Sequence, residues 1–455
     1  MNRKKSPQEK MMTVIWFLLY NISVVPFLYL AFTVAGLFNR KVRDGITGRK
    51  GQVSVIKNAL NNKGGGRKVI LFHCVSVGEW EQSVPVIMKL KKTDPTLFIV
   101  VAFFSPSGYN YVRNHPDVDL KVYLPFDSYH GAKRFLRAVG PSLWVVSKHD
   151  IWPNHLFAAG KLNIPVVLID ATLPPDSKRI YPVIKNFNKC AYKNFDFIFP
   201  ISEEDKNRFL SIYPFEERLL IAGDTRFDQV LNRAEKAKQA DRIKLFDEEN
   251  GVIFIGGSIW QPDEKHVMPA LINMMSKYKD LKAVLVPHEP EEHHLQELEG
   301  TLDKASIGST RLSSITETGK NETRVVIIDS IGLLARLYSQ TDIAYVGGSF
   351  STGVHNVMEP AVLDNPVIFG PRHLNSFEAT ELKRHGGGFT ISSSEEMEEI
   401  LDKLISDIEF RNESGKKAKE LIYESFGATE IIFAKLKERY GFISGDNPDR
   451  DYDSV

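Results

Sequence analysis

Cysteine is almost missing. Cys74 and Cys190 are the only two among 455 residues, and they follow neither a metal-ligand spacing nor a disulfide framework, which fits a reducing compartment. An excess of either charge is missing too. The 58 Lys and Arg against 57 Asp and Glu leave a formal net charge of +1, which argues against a polyanion binder working by bulk electrostatics, so no nucleic-acid partner is expected. No Walker-type Gly-Lys-Ser/Thr ending is present and no G-x-G-x-x-G follows the first strand pattern. Neither an ATPase nor a dehydrogenase is supported. No internal repeat of short period is seen.

What is present begins with "MMTVIWFLLYNISVVPFLYLAFTVAGLF", Met11 to Phe38, a run without one charged side chain and long enough to cross about 30 Å of hydrocarbon. It reads as a membrane anchor. Arg3, Lys4, Lys5 and Lys10 precede it, while Arg40, Lys41, Arg43, Arg49 and Lys50 follow, so the flanks lean only slightly toward a cytoplasmic C-terminal side. The run is too long for a cleaved signal peptide and lacks a small-residue cleavage site. Pro26, with the polar Asn21 and Ser23, leaves open a broken segment lying in one leaflet.

Beyond Arg67, β-branched runs alternate with helical patterns. "KVILFH", "LFIVVAF", "LWVVS", "IPVVLID" and "FDFIFP" read as strands, and after a charged stretch the alternation restarts with "VIFIGGS", "KAVLVP", "TRVVIID", "DIAYVGG" and "PVIFG". Such alternation predicts α/β architecture: two doubly wound, Rossmann-like domains with parallel sheets. The expected organisation is an anchor over 1–40, an N-terminal domain over 41–230, a C-terminal domain over 231–440 and a polar tail over 441–455. In such folds ligands bind beyond the carboxyl ends of the strands, in a cleft between the domains.

The loops at those ends are therefore the places to search. "DIAYVGGSFSTGVHNVMEPAV" predicts a strand, a glycine-rich turn and a helix starting near Gly353 to His355, where unpaired N–H groups would hold a phosphate. Glu359, one turn further, suits a ribose diol. A glycine-rich turn capped by Ser or Thr explains the same residues. In the first domain, "HCVSVGEWEQSVPVI" puts Glu79 after Gly78, in a first helical turn where an acidic residue also complements the helix dipole.

Here the chain resembles a known family. "HCVSVGEWEQSVPVI", "YLPFD", "IWPN", "GDTRFD", "GGSFSTGVHNVMEPAV" and "PVIFGPRHLNSFEA" occur in the order and at the spacings of the Kdo transferases, which move 3-deoxy-D-manno-octulosonic acid (Kdo) from CMP-Kdo to a lipid A precursor. The resemblance covers nearly the whole chain. It implies a GT-B glycosyltransferase, with the acceptor on the N-terminal domain and CMP-Kdo on the C-terminal one. Glu79 would be the general base that deprotonates the acceptor hydroxyl. Donor contacts would come from Ser258, Gly348, Ser349, Gly353, His355, Asn356, Glu359 and Asn375, and Ser76, Gly78, Lys148, Asp150 and Arg226 would line the acceptor side or the cleft. No cofactor and no metal are implied.

Three places depart from the family pattern. Lys148 and Asp150 stand where relatives carry Glu-x-Glu, His288 and Glu289 where they carry Arg-His, and Trp260 where a His is common. Lys148 suits either an anionic ligand or a surface ion pair. Trp260 suits either a stacking platform or packing. His288, Glu289, Glu292, His293 and His294 can be drawn as a metal site, although a polar loop opening an exposed helix explains them as well. Asp127 reads as a helix cap, and Asn375 as an N-cap. The expected partners are CMP-Kdo, the lipid A precursor (lipid IVA) and the lipids of a bacterial inner membrane, with the catalytic domains on the cytoplasmic face. The rival expectations are a GT-B enzyme using another sugar nucleotide and a non-catalytic membrane-bound sensor.

Overall fold

The computed structural model describes residues 7–112, 115–148, 151–247 and 250–441. Arg3, Lys4, Lys5, Asp150 and the tail from 442 onward lie outside the described residues. The chain divides into two compact units, one of residues up to Gln229 together with those from Gly427, the other Val230–Phe426.

In the first unit six strands, β1 (Val69–Cys74), β2 (Phe98–Phe103), β3 (Leu120–Tyr123), β4 (Leu143–Ser147), β5 (Val166–Ala171) and β6 (Phe197–Pro200), form one parallel sheet in the order β3-β2-β1-β4-β5-β6. Helices cover both faces, so the strands are apolar at successive positions rather than alternately. Val69 and Leu71 of β1 enter one core cluster, while Ile70, Phe72 and Cys74 enter the other. The order reverses between β1 and β4. That places the β1 and β4 exit turns side by side, at the point where such sheets leave room for a ligand.

The second unit repeats the plan with β7 (Ile253–Ile259), β8 (Lys282–Pro287), β9 (Ser309–Arg311), β10 (Val325–Ile327), β11 (Ile343–Val346), β12 (Val367–Phe369) and β13 (Gly388–Thr390). All are parallel, in the order β13-β12-β11-β7-β8-β10-β9. Here the reversal lies between β7 and β11.

One expectation is corrected. The last helix, Ala428–Tyr440, was expected in the C-terminal domain but packs on the first unit, with Ile432, Phe433 and Leu436 in the same core cluster as Phe72. Asp228 fixes its start by accepting from the Gly427 and Thr429 N–H groups at 2.8 and 2.7 Å. The apolar segment, left open between an unbroken and a broken form, is one continuous helical run. It is helical from Met11 to Phe38, with one π-helical turn at Tyr20–Val24. The wider turn presents Tyr20 and Asn21 to the first unit. Tyr20 donates to Asp127 Oδ2 at 2.8 Å, and the amides of Asn21 and Asn154 exchange bonds of 2.9 and 3.0 Å. Other positions point outward, with Ile22, Phe27 and Phe38 exposed to 74%, 68% and 86%.

Candidate active site

Each unit carries a candidate site at its own reversal point. In the first, β1 runs into the helix Val77–Thr93, and the hydroxyl of Ser76 caps that helix by accepting from the Glu79 N–H at 3.4 Å. Glu79, three residues in, reaches back and accepts from the Val75 N–H. The pair is a variant of the capping box, with the carboxylate serving the residue before the cap. Glu79 is buried, at 6% exposure, between the exposed Ser76 and Gly78 and the core Trp80. A Cβ built on Gly78 meets only the Ser76 hydroxyl, at 3.9 Å, so the helix surface beside Glu79 is bare. Burial and the neighbouring Glu79 raise the Cys74 thiol far above its ordinary range, against an opposing bond to Ser83.

In the second unit Ser258, the last residue but one of β7, is held at a left-handed φ of 51°, and Trp260 opens the helix Gln261–Lys277. Asp263, fully buried, ties this turn to the loop after β11: it accepts from the Trp260 N–H at 2.9 Å, the Gly348 N–H at 2.9 Å and the Tyr345 hydroxyl at 2.8 Å. Trp260 Nε1–H donates to His355 Nε2 at 2.7 Å. Since that nitrogen accepts, the imidazole carries its proton on Nδ1. Burial, then His288, hold the His355 pKa below the ordinary range, with Asp263 opposing. His288 stacks on both rings, 4.2 Å from Trp260 and 4.8 Å from His355. Two glycines make this possible. A Cβ on Gly348 would lie 2.8 Å from the His355 ring, and one on Gly347 would lie 2.1 Å from the Ser258 carbonyl.

The sequence relates this geometry to known proteins. A family model described as 3-deoxy-D-manno-octulosonic-acid transferase (kdotransferase) matches residues 47–229. A 3-deoxy-D-manno-octulosonic acid transferase of Haemophilus influenzae is 28% identical over 373 residues, spanning 81% of this chain and 86% of that one. The enzyme of the same name from Aquifex aeolicus is 27% identical over 353 residues, spanning 77% and 89%. Over most of its length the chain is similar to the Kdo transferases. It is a glycosyltransferase. Among solved structures, the UDP-GlcNAc 2-epimerase of Neisseria meningitidis bound to UDP-GlcNAc covers 82% of this chain and 100% of its own at a TM-score of 0.56 and 18% identity. That likeness shows the shared two-unit GT-B fold.

Against the expectation from the sequence, the loop after β11 is irregular. No helix starts near Gly353 to His355; the next helix is the four-residue Met358–Ala361. The N–H groups expected to cradle a phosphate are largely engaged. Gly348 serves Asp263, Ser351 and Gly353 serve the Gly348 carbonyl, Val354 serves Arg372 and His355 serves Gly347. Ser349 is fully buried, and its hydroxyl accepts from the Gly370 N–H at 2.6 Å. Asn375 is not an N-cap. Its amide pairs both ways with the Val354 backbone, at 3.2 and 3.1 Å, and Ser376 caps the following helix. Asn356 is exposed and closes a turn onto the Met358 N–H at 3.1 Å. Glu359 is ion-paired with Arg233 at 3.0 Å.

In the first unit Lys148 takes a left-handed φ of 64° just after β4, beside the Glu79 turn by sheet order. Arg226 is paired with Asp224 at 2.7 Å. The histidine-rich loop does not converge. His288 belongs to the ring stack, His294 meets Glu264 at 2.5 Å, His293 lies 3.6 Å from Glu297 and Glu292 pairs with Arg311.

Sequence reasoning gave one buried carboxylate the wrong helix and missed another. Asp127 does not cap its own helix, a task left to Ser128. It holds the start of the helix Pro153–Lys161 through the Asn154 and His155 N–H groups, both at 3.2 Å, and through His155 Nδ1 at 2.8 Å. Asp170, fully buried at the end of β5, accepts from the Thr225 N–H at 2.7 Å. Burial, then Asp224, raise its pKa well above the carboxylate range. An Asp ending a buried strand, as in "VVLID", was the available signal. Arg49, finally, is no free cation. It donates to the carbonyls of Leu124, Gly45 and Phe104, and burial lowers its pKa to about 10.

Proposed function

We propose that this transferase moves Kdo from CMP-Kdo to the tetra-acylated disaccharide precursor of lipid A, with inversion at the anomeric carbon, while held to the cytoplasmic face of a bacterial inner membrane by its N-terminal apolar helix. Glu79 is the general base. The observation that carries this is its placement at the β1/β4 reversal, where the Val75 N–H orients its carboxylate and the bare Gly78 leaves an approach for an acceptor hydroxyl. A carboxylate that takes the proton as the hydroxyl attacks accelerates such a step about 10² to 10⁴-fold. The same carboxylate serves as a capping group, and the test must separate the two roles.

On the donor side, Gly348, Ser349, Gly353 and Asn375 act by shaping the loop. Ser258, His355, Asn356 and Glu359 are the groups that meet the nucleotide. His355, with its proton on Nδ1, offers a donor to the phosphate or the Kdo carboxylate. Glu359 exchanges its Arg233 contact for the ribose hydroxyls. The leaving CMP is a stable anion, so donor groups of the protein suffice to balance its charge. Lys148 and Arg226 belong to the acceptor side.

Glu79→Gln keeps an acceptor oxygen for the Val75 N–H and removes the base. The expected result is a loss of turnover of about 10² to 10⁴-fold with CMP binding and melting temperature nearly unchanged, read by mass spectrometry of lipid products. Full turnover in the variant eliminates the base assignment. Absence of product from CMP-Kdo and lipid IVA with the unaltered protein eliminates the donor and acceptor assignment instead.

A further inference from the structure

The helix Tyr129–Val139 buries Ala132, Phe135, Leu136 and Val139. Its other face carries His130, Lys133, Arg134 and Arg137, spaced i, i+3, i+4 and i+7, so that the cations Lys133, Arg134 and Arg137 stand together. Like charges at that spacing repel and cost helix stability. Among the described residues no acidic side chain pairs with Lys133, Arg134 or Arg137, nor with Lys57 across from them on the helix Gln52–Ala59. All four line one groove of about 690 Å³.

That groove adjoins, through the shared Ser128, Gly131 and Arg134, a second cavity of about 260 Å³ whose walls are mostly apolar. Val25, Leu28 and Phe32 of the N-terminal apolar segment form one wall, with Phe126 and Trp152 opposite. Among the described residues Asp127 is the only acidic one lining either space. It is already bonded to Tyr20, Asn154 and His155, so it leaves the cations uncompensated.

We propose that this two-part groove binds one anionic membrane phospholipid, its phosphate between Lys57 and the Lys133–Arg137 stripe and an acyl chain along Phe32 and Trp152. A free phosphate matches only the basic half, and an uncharged lipid only the apolar half. Neither space is lined by any residue of the Val75–Glu79 turn, so the bound lipid is a resident of the bilayer rather than the acceptor. The inference rests on the membrane reading of the apolar helix and is independent of the donor and base assignments.

The test uses the delipidated full chain in neutral detergent, without sugar nucleotide, titrated with phosphatidylglycerol and followed by native mass spectrometry. One phosphatidylglycerol is expected to be retained, phosphatidylcholine much less, and glycerol 3-phosphate should not displace it. Lys133→Gln with Arg137→Gln keeps good helix formers and should weaken retention about tenfold or more with an unchanged circular dichroism spectrum. Phe32→Ala should weaken it from the apolar side. Unchanged retention in both variants overturns the site, equal displacement by glycerol 3-phosphate reduces it to a phosphate site and overturns the lipid assignment, and retention of lipid IVA in preference to phosphatidylglycerol makes it the acceptor groove. A transferase without Kdo activity would leave the binding result intact.

Discussion

His73 lies at 1% exposure in β1, stacked on Trp144 at 6.0 Å with the planes 8° apart. Burial, then the nearby His155, lower its pKa to about 3, whereas an unfolded histidine titrates near ~6.5. Above that value both states are neutral and nothing is gained or lost. Below it the unfolded chain takes up a proton that the folded chain refuses, so stability falls as the pH drops from about 6.5 toward about 3, by up to about 1.4 kcal/mol per pH unit. His73→Phe keeps a ring against Trp144 and removes the proton site. Urea midpoints measured across that window should fall less steeply in the variant than in the parent; parallel slopes would mean that His73 is charged in the fold.

Residue identity at Trp260 has a related consequence. The indole N–H fixes the His355 tautomer, which no sequence pattern reveals because the partners are 95 positions apart. Glu79 was different. Its place after Ser76 and Gly78 marks a first helical turn in the sequence, and the structure puts it there, but only the fold decides that its carboxylate faces the Val75 N–H.

At the scale of elements, most of the sheet was legible. The ten strands read from apolar runs are present, and the three that were missed, β3, β9 and β13, all lie at sheet edges. An edge strand has one neighbour and one open side, so its residues are half-buried and its apolar pattern is weak: β9, Ser309–Arg311, has no buried residue at all. Helix starts were less legible. The loop after β11 looked like a helix entry because glycine and hydroxyl residues favour both caps and irregular turns, and Asp263, supplied from another element, resolved the choice.

Close approach of elements is a second feature that residue patterns hide. Gly415 sits in the helix Ile408–Glu424, where a Cβ would lie 1.9 Å from the Asp364 carbonyl. Alanine normally favours a helix interior. Here Gly415→Ala forces the helix off the Asp364 turn and should lower stability by about 1 to 3 kcal/mol, visible as a shifted denaturation midpoint. A stabilised variant would mean that the helix does not pack so closely.

At the scale of the whole molecule, chain order and spatial order part company at the C-terminus. The helix Ala428–Tyr440 returns to the unit that began the chain, and Asp228 and the core around Phe72 receive it. Burying Ile432, Phe433 and Leu436 is worth about 1.5 to 3 kcal/mol each, which together compares with the entire stability of an ordinary domain, about 5 to 15 kcal/mol. A chain ended at Phe426 should therefore lose the first unit while the second stays folded, leaving one protected half in limited proteolysis. Equal protection of both halves would show that the helix is dispensable.

Composition and period determined a good deal without the fold: two parallel α/β units from buried apolar runs and an apolar helix long enough for a bilayer, while six motifs in order carried the resemblance to a family. Those signals are local, because a strand, a span or a motif is written in neighbouring residues. Tertiary structure alone decided which polar groups are occupied. The loop amides that bond within their own turn, the Tyr20 and Asn21 latch on the apolar helix, and the cation stripe without acidic partners among the described residues all depend on residues brought together from distant positions, and hydrogen bonds and ion pairs are settled by distance in space rather than along the chain.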